Sequence, residues 1–317
     1  MSAAGYVAVA GQIAVVVGGA PLLTGLMRQV RARMEGRAGA GVLQPWRDTR
    51  KLLRKEPISA IGTGPAFRIA PALLVATTVV VAALVPLLST DTPVAGRADL
   101  ILVVALLALG TVALALAGLD TGTAFGGMGA SREMTIAALV EPTLLMSVFA
   151  LSIPAGSTNL PAIVSGAVHE PARLASPAGL LATAALGVAV LAETGRLPVD
   201  NPSTHLELTM VHEAMVLEYA GPDLALVELG AHMRLTVLLG LLASLFAPWG
   251  IATTASASAL AVALVLFVVK VALLGVVLAA AEVFWAKLRL FRVPELLAGS
   301  FLLALLAVTS SYFLSGE

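Results

Sequence analysis

Residues 256–280 read SASALAVALVLFVVKVALLGVVLAA, a stretch of 25 residues in which Lys270 is the one charged side chain. A helix rises about 1.5 Å per residue, so roughly 20 apolar residues cross the ~30 Å hydrocarbon core of a bilayer. Backbone amides find no water in that core, and a helix is the structure in which one segment satisfies its own backbone. The stretch therefore predicts a transmembrane helix.

The rest of the chain has the same character. Of its 317 residues, 59% are hydrophobic and 12% are charged, whereas soluble domains are about half apolar and about a quarter charged. The mean hydropathy is +0.97, so the excess apolar surface must face lipid. We predict an all-α, polytopic membrane protein of about eight transmembrane helices, forming one domain over residues 1–317. The predicted spans lie near 6–27, 69–88, 100–119, 135–155, 178–193, 224–246, 256–280 and 296–314.

Lysine and arginine predict the orientation of these spans. Fifteen of the nineteen lie in four connections, whereas Arg97 and Arg173 lie in connections on the other side. Because cytoplasmic loops carry the excess of lysine and arginine, we predict that these four connections are cytoplasmic and that both termini are outside. The four connections lie near 28–68, 120–134, 194–223 and 281–295.

The first of these connections has a pattern of its own. Pro45 can begin a helix on which Trp46, Leu52 and Leu53 fall close to one face, with basic residues around them. This pattern predicts a short helix in the plane of the lipid headgroups. The alternative is a solvated basic loop that sets the topology and binds anionic lipid.

Several ionisable residues fall inside the predicted spans. Glu141 lies in the fourth span, and Glu228, His232 and Arg234 lie in the first half of the sixth. Charged groups at membrane depth cost several kcal/mol, so they usually face a cavity or a partner. Burial raises the pKa of a carboxyl group and lets it exchange protons near neutral pH. The alternative is a static ion pair of Glu228 with Arg234 or His232.

The connection after the fifth span is strongly acidic. Between residues 203 and 219 the sequence STHLELTMVHEAMVLEY predicts a half-buried helix, with Glu207 and Glu218 three turns apart on one face. Proton conduction needs a chain of titratable groups, and this segment supplies one; a solvated acidic face is the alternative. Arg196 stands alone against six carboxylates: Glu193, Asp200, Glu207, Glu213, Glu218 and Asp223.

Several kinds of chemistry are excluded by the sequence. The chain has no cysteine, so it holds no disulfide, thiolate zinc site or cysteine-ligated iron–sulfur cluster. His212-Glu213 begins a zinc-protease pattern, but Val216 stands where the second histidine is needed. The formal net charge is +0, so no overall basic field points to nucleic acid. We predict no catalytic residue and no metal or cofactor site within this chain.

Four segments resemble one family. AETGRLPVDNPSTHLELTMVHEAMVLEYAGPDLALVE (192–228) closely resembles the membrane-anchor subunit of formate hydrogenlyase and related energy-converting nickel–iron hydrogenases, which is homologous to subunit 1 of respiratory complex I. The other three segments agree in the same order along the chain: GVLQPWRDTRKLLRKE (41–56), GMGASREMTIAALVEP (127–142) and AEVFWAKLRLFRVPELL (281–297).

The resemblance implies a tilted arrangement of eight helices in the bacterial inner membrane. It also implies a cytoplasmic docking surface for hydrogenase-like large and small subunits and an iron–sulfur subunit, with antiporter-like subunits as membrane partners. Iron–sulfur clusters and a nickel–iron centre are expected on those partners. The chain would couple electron transfer in them to proton or sodium translocation.

The resemblance also implies an acidic pathway from the redox arm toward the ion-pumping subunits. The connection after the fifth span matches most of it, Glu133 and Glu141 match the region of the fourth helix, and Arg196 falls beside the first glutamate. With Glu228 of the sixth span, the predicted coupling residues are Glu133, Glu141, Glu193, Arg196, Asp200, Glu207, Glu213, Glu218 and Glu228.

Other functions remain open at this stage. The chain could instead form the quinone site of an NADH:quinone oxidoreductase. However, subunits of that branch typically read ETNR-x-PFDLPE where this chain reads ETGRLPVDNPSTHLE, which favours the hydrogenase branch. An autonomous transporter and a purely structural tether for a soluble hydrogenase are two further alternatives.

Overall fold

The computed structural model describes residues 3–200, 210–254, 256–286 and 288–315. Within these ranges the regular structure is helical, which confirms the predicted all-α class. The α-helices of the described ranges are α1 (Ala3–Met34), α2 (Gln44–Leu53), α3 (Pro65–Leu84), α4 (Leu100–Asp120), α5 (Ala124–Ala155), α6 (Leu160–His169), α7 (Pro177–Glu193), α8 (His212–Val216), α9 (Gly221–Phe246), α10 (Ala257–Phe284) and α11 (Val293–Ser315).

Each predicted span corresponds to one helix. In the described part of the chain, seven helices are long and apolar enough to cross a membrane: α1, α3, α4, α5, α9, α10 and α11. The remaining span is α7, whose 17 residues lie at the lower limit for crossing the hydrocarbon core. The chain is therefore an integral membrane protein with seven long spans and one short one among its described residues.

Helix α9 is the centre of the bundle. It packs against α1, α2, α3, α7 and α10, and it is the most buried of the seven long spans. Glycines allow this packing, because a Cβ at Gly230 would lie 2.9 Å from the Leu74 side chain and one at Gly240 would lie 2.8 Å from Leu87. By contrast, α10 and α11 are the least buried spans and expose apolar side chains, as lipid-facing helices do.

Helix α5 begins earlier than the sequence predicted. The glycines at 126, 127 and 129 favoured a loop over residues 120–134, but the Thr123 hydroxyl accepts a hydrogen bond from Gly126 N (3.2 Å) and starts the helix at Ala124. Glu133 therefore lies on a helix rather than in a connection. Close packing explains the glycines, since a Cβ on Gly129 would lie 2.8 Å from the Ala214 Cβ.

The predicted helix over residues 203–219 is confirmed only at His212–Val216, which form α8. Residues 210–211 and 217–219 lie outside any helix, so the prediction was wrong there. Tertiary contacts hold the backbone here, because Arg132 Nη1 donates to the Met210 carbonyl (2.8 Å) and the Asp200 carboxylate accepts from His212 N (3.3 Å). Glu218 follows the end of α8, and Glu207, with which it was predicted to share a helix face, lies outside the described residues.

Besides α8, two further short helices of the described ranges lie outside the eight predicted spans. Helix α2 confirms the helix predicted from Pro45, and it packs against α1 and α9. Helix α6 was not predicted; the Asn159 side chain caps its first turn by accepting from Ala162 N (3.2 Å).

Candidate functional site: a charged cavity beside helix α9

A cavity of about 290 Å³ lies against α9, at the end of the bundle that carries the basic connections. Its wall combines apolar side chains with an unusual number of charged and polar ones. The polar and charged residues that line it are Thr24, Arg28, Arg31, Thr111, Glu133, Glu193, Thr194, Arg196, Asp200, His212, Glu213, Glu228, His232, Arg234 and Glu282.

The cavity brings together most of the residues that the sequence singled out. Six of the nine predicted coupling residues line it: Glu133, Glu193, Arg196, Asp200, Glu213 and Glu228. Glu141 and Glu218 are not part of the wall, and Glu207 lies outside the described residues. Described residues from eight helices and from the segment after α7 thus meet at one place, although they are spread over most of the chain.

A buried ion pair joins α7 to α9 at the cavity. The Arg234 Nη2 atom donates to the Glu193 carboxylate, to Thr111 Oγ1 (2.6 Å) and to the Leu107 carbonyl (3.0 Å). The side chains of Arg234 and Glu193 are only 10% and 5% exposed. The suggested pairing of Arg234 with Glu228 was therefore wrong, because Arg234 turns away along α9 toward the last residue of α7.

A second ionic cluster closes another side of the cavity. The Glu282 carboxylate, from α10, accepts hydrogen bonds from Arg31 Nη1 of α1 and from Arg196 Nη1 of the segment after α7, each at 3.3 Å. Burial lowers the pKa of the Arg196 guanidinium, whereas the charge of Glu282 and its hydrogen bond oppose that shift. Since arginine nevertheless stays protonated in proteins, Glu282 fixes two cations in place.

The segment that carries His212 and Glu213 is held from both sides. Its backbone is fixed by the Arg132 and Asp200 hydrogen bonds described above, and α8 packs on α4 and α5. Asp200 is itself 3% exposed. The short helix α8 therefore presents His212 and Glu213 to the cavity from a fixed backbone.

Three buried polar atoms of the cavity wall have no hydrogen-bond partner within the described part of the protein: Thr24 Oγ1, His232 Nδ1 and Arg234 Nε. A buried polar group without a partner costs about 1–3 kcal/mol. Such groups in a polar cavity are usually satisfied by water, and this cavity has room for several water molecules. The cavity can therefore hold a hydrogen-bonded water chain or a small polar ligand.

The Glu193–Arg234 pair also connects the cavity to α5. Glu133 interacts electrostatically with Glu193, Arg234, Asp200 and His212, and Glu141 interacts with the same pair, Glu193 and Arg234. Glu133 and Glu141 lie eight residues apart on α5, so the helix carries one carboxylate at the cavity and a second deeper in the span. Among the described residues, no three His, Asp or Glu side chains are grouped to hold a metal ion.

Lys270, the one charged side chain of the apolar stretch 256–280, has a structural role. Its ammonium donates to the carbonyls of Ala247 (2.6 Å) and Trp249, just after the end of α9, and lies 5.1 Å from the centre of the Trp249 ring. Cations near a helix C-terminus stabilise its unpaired carbonyls. Lys270 therefore caps α9 and lies outside the charged cavity.

Sequence reasoning missed Glu282, Arg31 and Thr24 as members of the site. Glu282 was visible as a carboxylate that interrupts the end of an apolar run, within the segment 281–297 that carries the resemblance. Arg31 was counted only toward the topology. Thr24 carried no signal, because a threonine inside an apolar helix commonly bonds its own backbone.

Comparison with known proteins gives consistent matches over nearly the whole chain. A family model described as NADH dehydrogenase matches residues 7–312. Hydrogenase-4 component C of Escherichia coli (strain K12) is 38% identical over 288 residues, 90% of each chain. Formate hydrogenlyase subunit 4 of the same organism is 35% identical over 291 residues, 92% of this chain and 94% of the relative.

The fold matches a solved structure as well. A chain of the membrane-bound sulfane sulfur reductase, an archaeal respiratory membrane complex, superposes with a TM-score of 0.80. The match covers 96% of this chain and 99% of the other at 18% identity, so it shows the shared fold.

Proposed function

The chain belongs to the NADH dehydrogenase family, that of subunit 1 of respiratory complex I, and we propose that it couples electron transfer in a hydrogenase-type complex to ion translocation. Its redox partners are an iron–sulfur subunit and hydrogenase-like large and small subunits, which carry the iron–sulfur clusters and a nickel–iron centre. Antiporter-like subunits are its membrane partners. The bacterial inner membrane is its location, with the basic connections cytoplasmic and both termini outside.

The observation that carries this proposal is the convergence of six carboxylates on one buried cavity. Four arginines face them there, so the wall holds two excess negative charges if every carboxylate is ionised. Uncompensated charge in a low-dielectric cavity is costly. The number of protons bound in the cavity therefore responds to any charge that arrives nearby, such as an electron in a docked subunit.

The Glu193–Arg234 ion pair links the cavity to Glu141. Its charges act on the cavity carboxylate Glu133 and on Glu141. A change of charge near this pair therefore alters the electric field at Glu141 as well as in the cavity. Coupled titration of this kind passes a charge change along α5 without requiring one proton to travel the whole distance.

Membrane vesicles that contain the assembled complex provide the test. Redox turnover and ion uptake are measured together in the wild type and in Glu213→Gln and Glu141→Gln. We expect turnover to persist while the number of ions moved per electron falls at least severalfold in both variants. Glu170→Gln is the control, because Glu170 is exposed and pairs with Arg173 after α6, outside the cavity. Full ion movement in both test variants would refute the proposal.

The cavity also favours a second candidate function, a quinone site. Three buried polar atoms without partners lie beside apolar residues such as Met27, Leu224 and Val227, and a quinone headgroup needs polar atoms next to an apolar wall. A quinone-site inhibitor should then stop turnover, and His232→Leu should reduce its potency. If the complex turns over with protons as the electron acceptor and the inhibitor has no effect, the quinone site is rejected and the coupling function is retained.

A further inference from the structure

The exposed face of α2 carries four cations in helical register. Arg50, Lys51 and Arg54 lie three, four and seven residues after Arg47, so all four point to one side of the helix. All four are exposed. The opposite side is buried through Pro45 and Thr49. Within the described ranges no ion pair involves any of the four cations.

Contacts with α1 fix the depth of α2. Trp46 Nε1 donates to the Gly18 carbonyl (3.0 Å), and a Cβ on Gly25 would collide with the Val42 carbonyl just before α2. Gly18 and Gly25 lie in the apolar part of α1, before its first cation, Arg28. Tryptophan is the residue most typical of the membrane interface. Helix α2 is therefore attached at the level of the membrane surface and not out in the aqueous phase.

Apolar side chains mark both ends of α2. Leu43 is 54% exposed and Leu53 is 52% exposed, each beside the basic face. In water such residues would be unfavourable, whereas at the boundary of the acyl chains they are satisfied. The bilayer is the neighbour that surrounds this chain at that depth, and its anionic headgroups complement four cations that form no ion pair with the described residues.

We propose that the basic face of α2 binds anionic phospholipid headgroups. The guanidinium groups of Arg47, Arg50 and Arg54 donate paired hydrogen bonds to phosphate oxygens, and Lys51 adds a point charge. Leu43 and Leu53 contact the first carbons of the acyl chains. This binding is independent of the proposed coupling, because none of the four cations lines the charged cavity.

The test measures lipid retained by the full chain in its membrane complex. The complex is placed in nanodiscs of equal parts phosphatidylglycerol and phosphatidylcholine and is then released into mild detergent. The phospholipid that stays bound is counted by native mass spectrometry. Each basic residue near an anionic surface strengthens binding about fivefold, so we expect retention of phosphatidylglycerol over phosphatidylcholine by at least tenfold. In the wild type this preference should fall severalfold when the salt is raised from about 0.05 to 0.5 M.

The variant Arg47→Gln/Arg50→Gln/Lys51→Gln/Arg54→Gln should lose the preference at least fivefold. A matched control removes four exposed cations elsewhere on the same side, Arg33, Arg68, Arg289 and Arg292, and should change it less than twofold. If the quadruple variant does not assemble, the pairs Arg47→Gln/Arg50→Gln and Lys51→Gln/Arg54→Gln serve instead. An equal loss of the lipid preference in the control would overturn the proposal. The proposal would also be overturned if the α2 variant lost a soluble subunit while its lipid retention stayed unchanged, because the basic face would then be a protein-docking surface.

Discussion

Replacing Arg234 by methionine should destabilise the protein far more than replacing both members of its ion pair. Arg234→Met leaves the Glu193 carboxylate at the cavity wall without its counter-charge. Removing one partner of a buried ion pair typically costs about 3–5 kcal/mol, whereas replacing both by neutral groups is often nearly neutral. The double variant Glu193→Gln/Arg234→Met should therefore recover most of the lost stability.

Protonation limits the cost of the single replacement and makes it depend on pH. A buried carboxylate without a counter-charge can bind a proton and become neutral. For a carboxyl of ordinary acidity this costs about 1.4 kcal/mol for each pH unit above about 4.3, or about 4 kcal/mol at pH 7. The folded variant then binds one proton that its unfolded chain has released, so its stability falls as the pH rises. The deficit relative to the wild type should shrink by about 3 kcal/mol between pH 7 and pH 5.

Steric trapping in bicelles measures the required unfolding free energies at several pH values. The double-mutant cycle of Glu193→Gln and Arg234→Met should give a coupling energy of at least about 2 kcal/mol at pH 7. Arg97→Met, which removes an exposed arginine on the other side, is the control and should change stability by no more than about 0.5 kcal/mol. Additive effects, or a deficit for Arg234→Met that is the same at pH 5 and pH 7, would refute the assignment of a stabilising buried pair.

Two further predictions concern how the site is held. Gly129→Ala should cost about 1–3 kcal/mol in unfolding free energy and reduce coupling, because the new methyl group would press on α8 at Ala214; Gly127→Ala, with nothing within 4 Å, should be neutral or slightly stabilising. Lys270→Met should cost about 1–3 kcal/mol by uncapping α9, since two carbonyls lose a charged donor. It should leave the ions moved per electron unchanged, and a fall in that ratio would show that Lys270 belongs to the ion path.

The sequence predicted the fold well because the bilayer imposes a simple rule. Each apolar run of the required length became a helix, and even the short span near 178–193 was placed within one residue of α7. Boundaries failed where packing outweighs local preference. Gly126, Gly127 and Gly129 favour a loop in isolation, but in the protein Gly126 and Gly129 allow α5 to pack against α4 and α8 from its first turns.

The sequence predicted many of the residues that line the candidate site, but it did not predict which of them form ion pairs with each other. Carboxylates at membrane depth are costly, so Glu228 could be identified from its position in a predicted span, whereas Glu133 came from the resemblance and Glu193 from the acidic connection. Their partners depend on how the helices rotate and cross, which no single-segment pattern encodes. Arg234 illustrates this, since a pairing within α9 was the alternative that the sequence offered and Glu193, 41 residues earlier in the chain, is the partner found.

The four segments that carry the family resemblance are explained by the same geometry. Glu133 comes from the second segment, Glu193, Glu213 and Glu228 come from the third, and Glu282 comes from the fourth. These five carboxylates line one cavity. The first segment contains α2. The last residue of the segment, Glu56, contacts the start of α9, where a Cβ at Gly221 would lie 2.7 Å from the Glu56 carbonyl. A lipid-facing position accepts almost any apolar side chain, whereas a charge in the cavity needs a particular partner at a particular distance. The segments on which the resemblance was recognised therefore include the residues whose charges build the cavity.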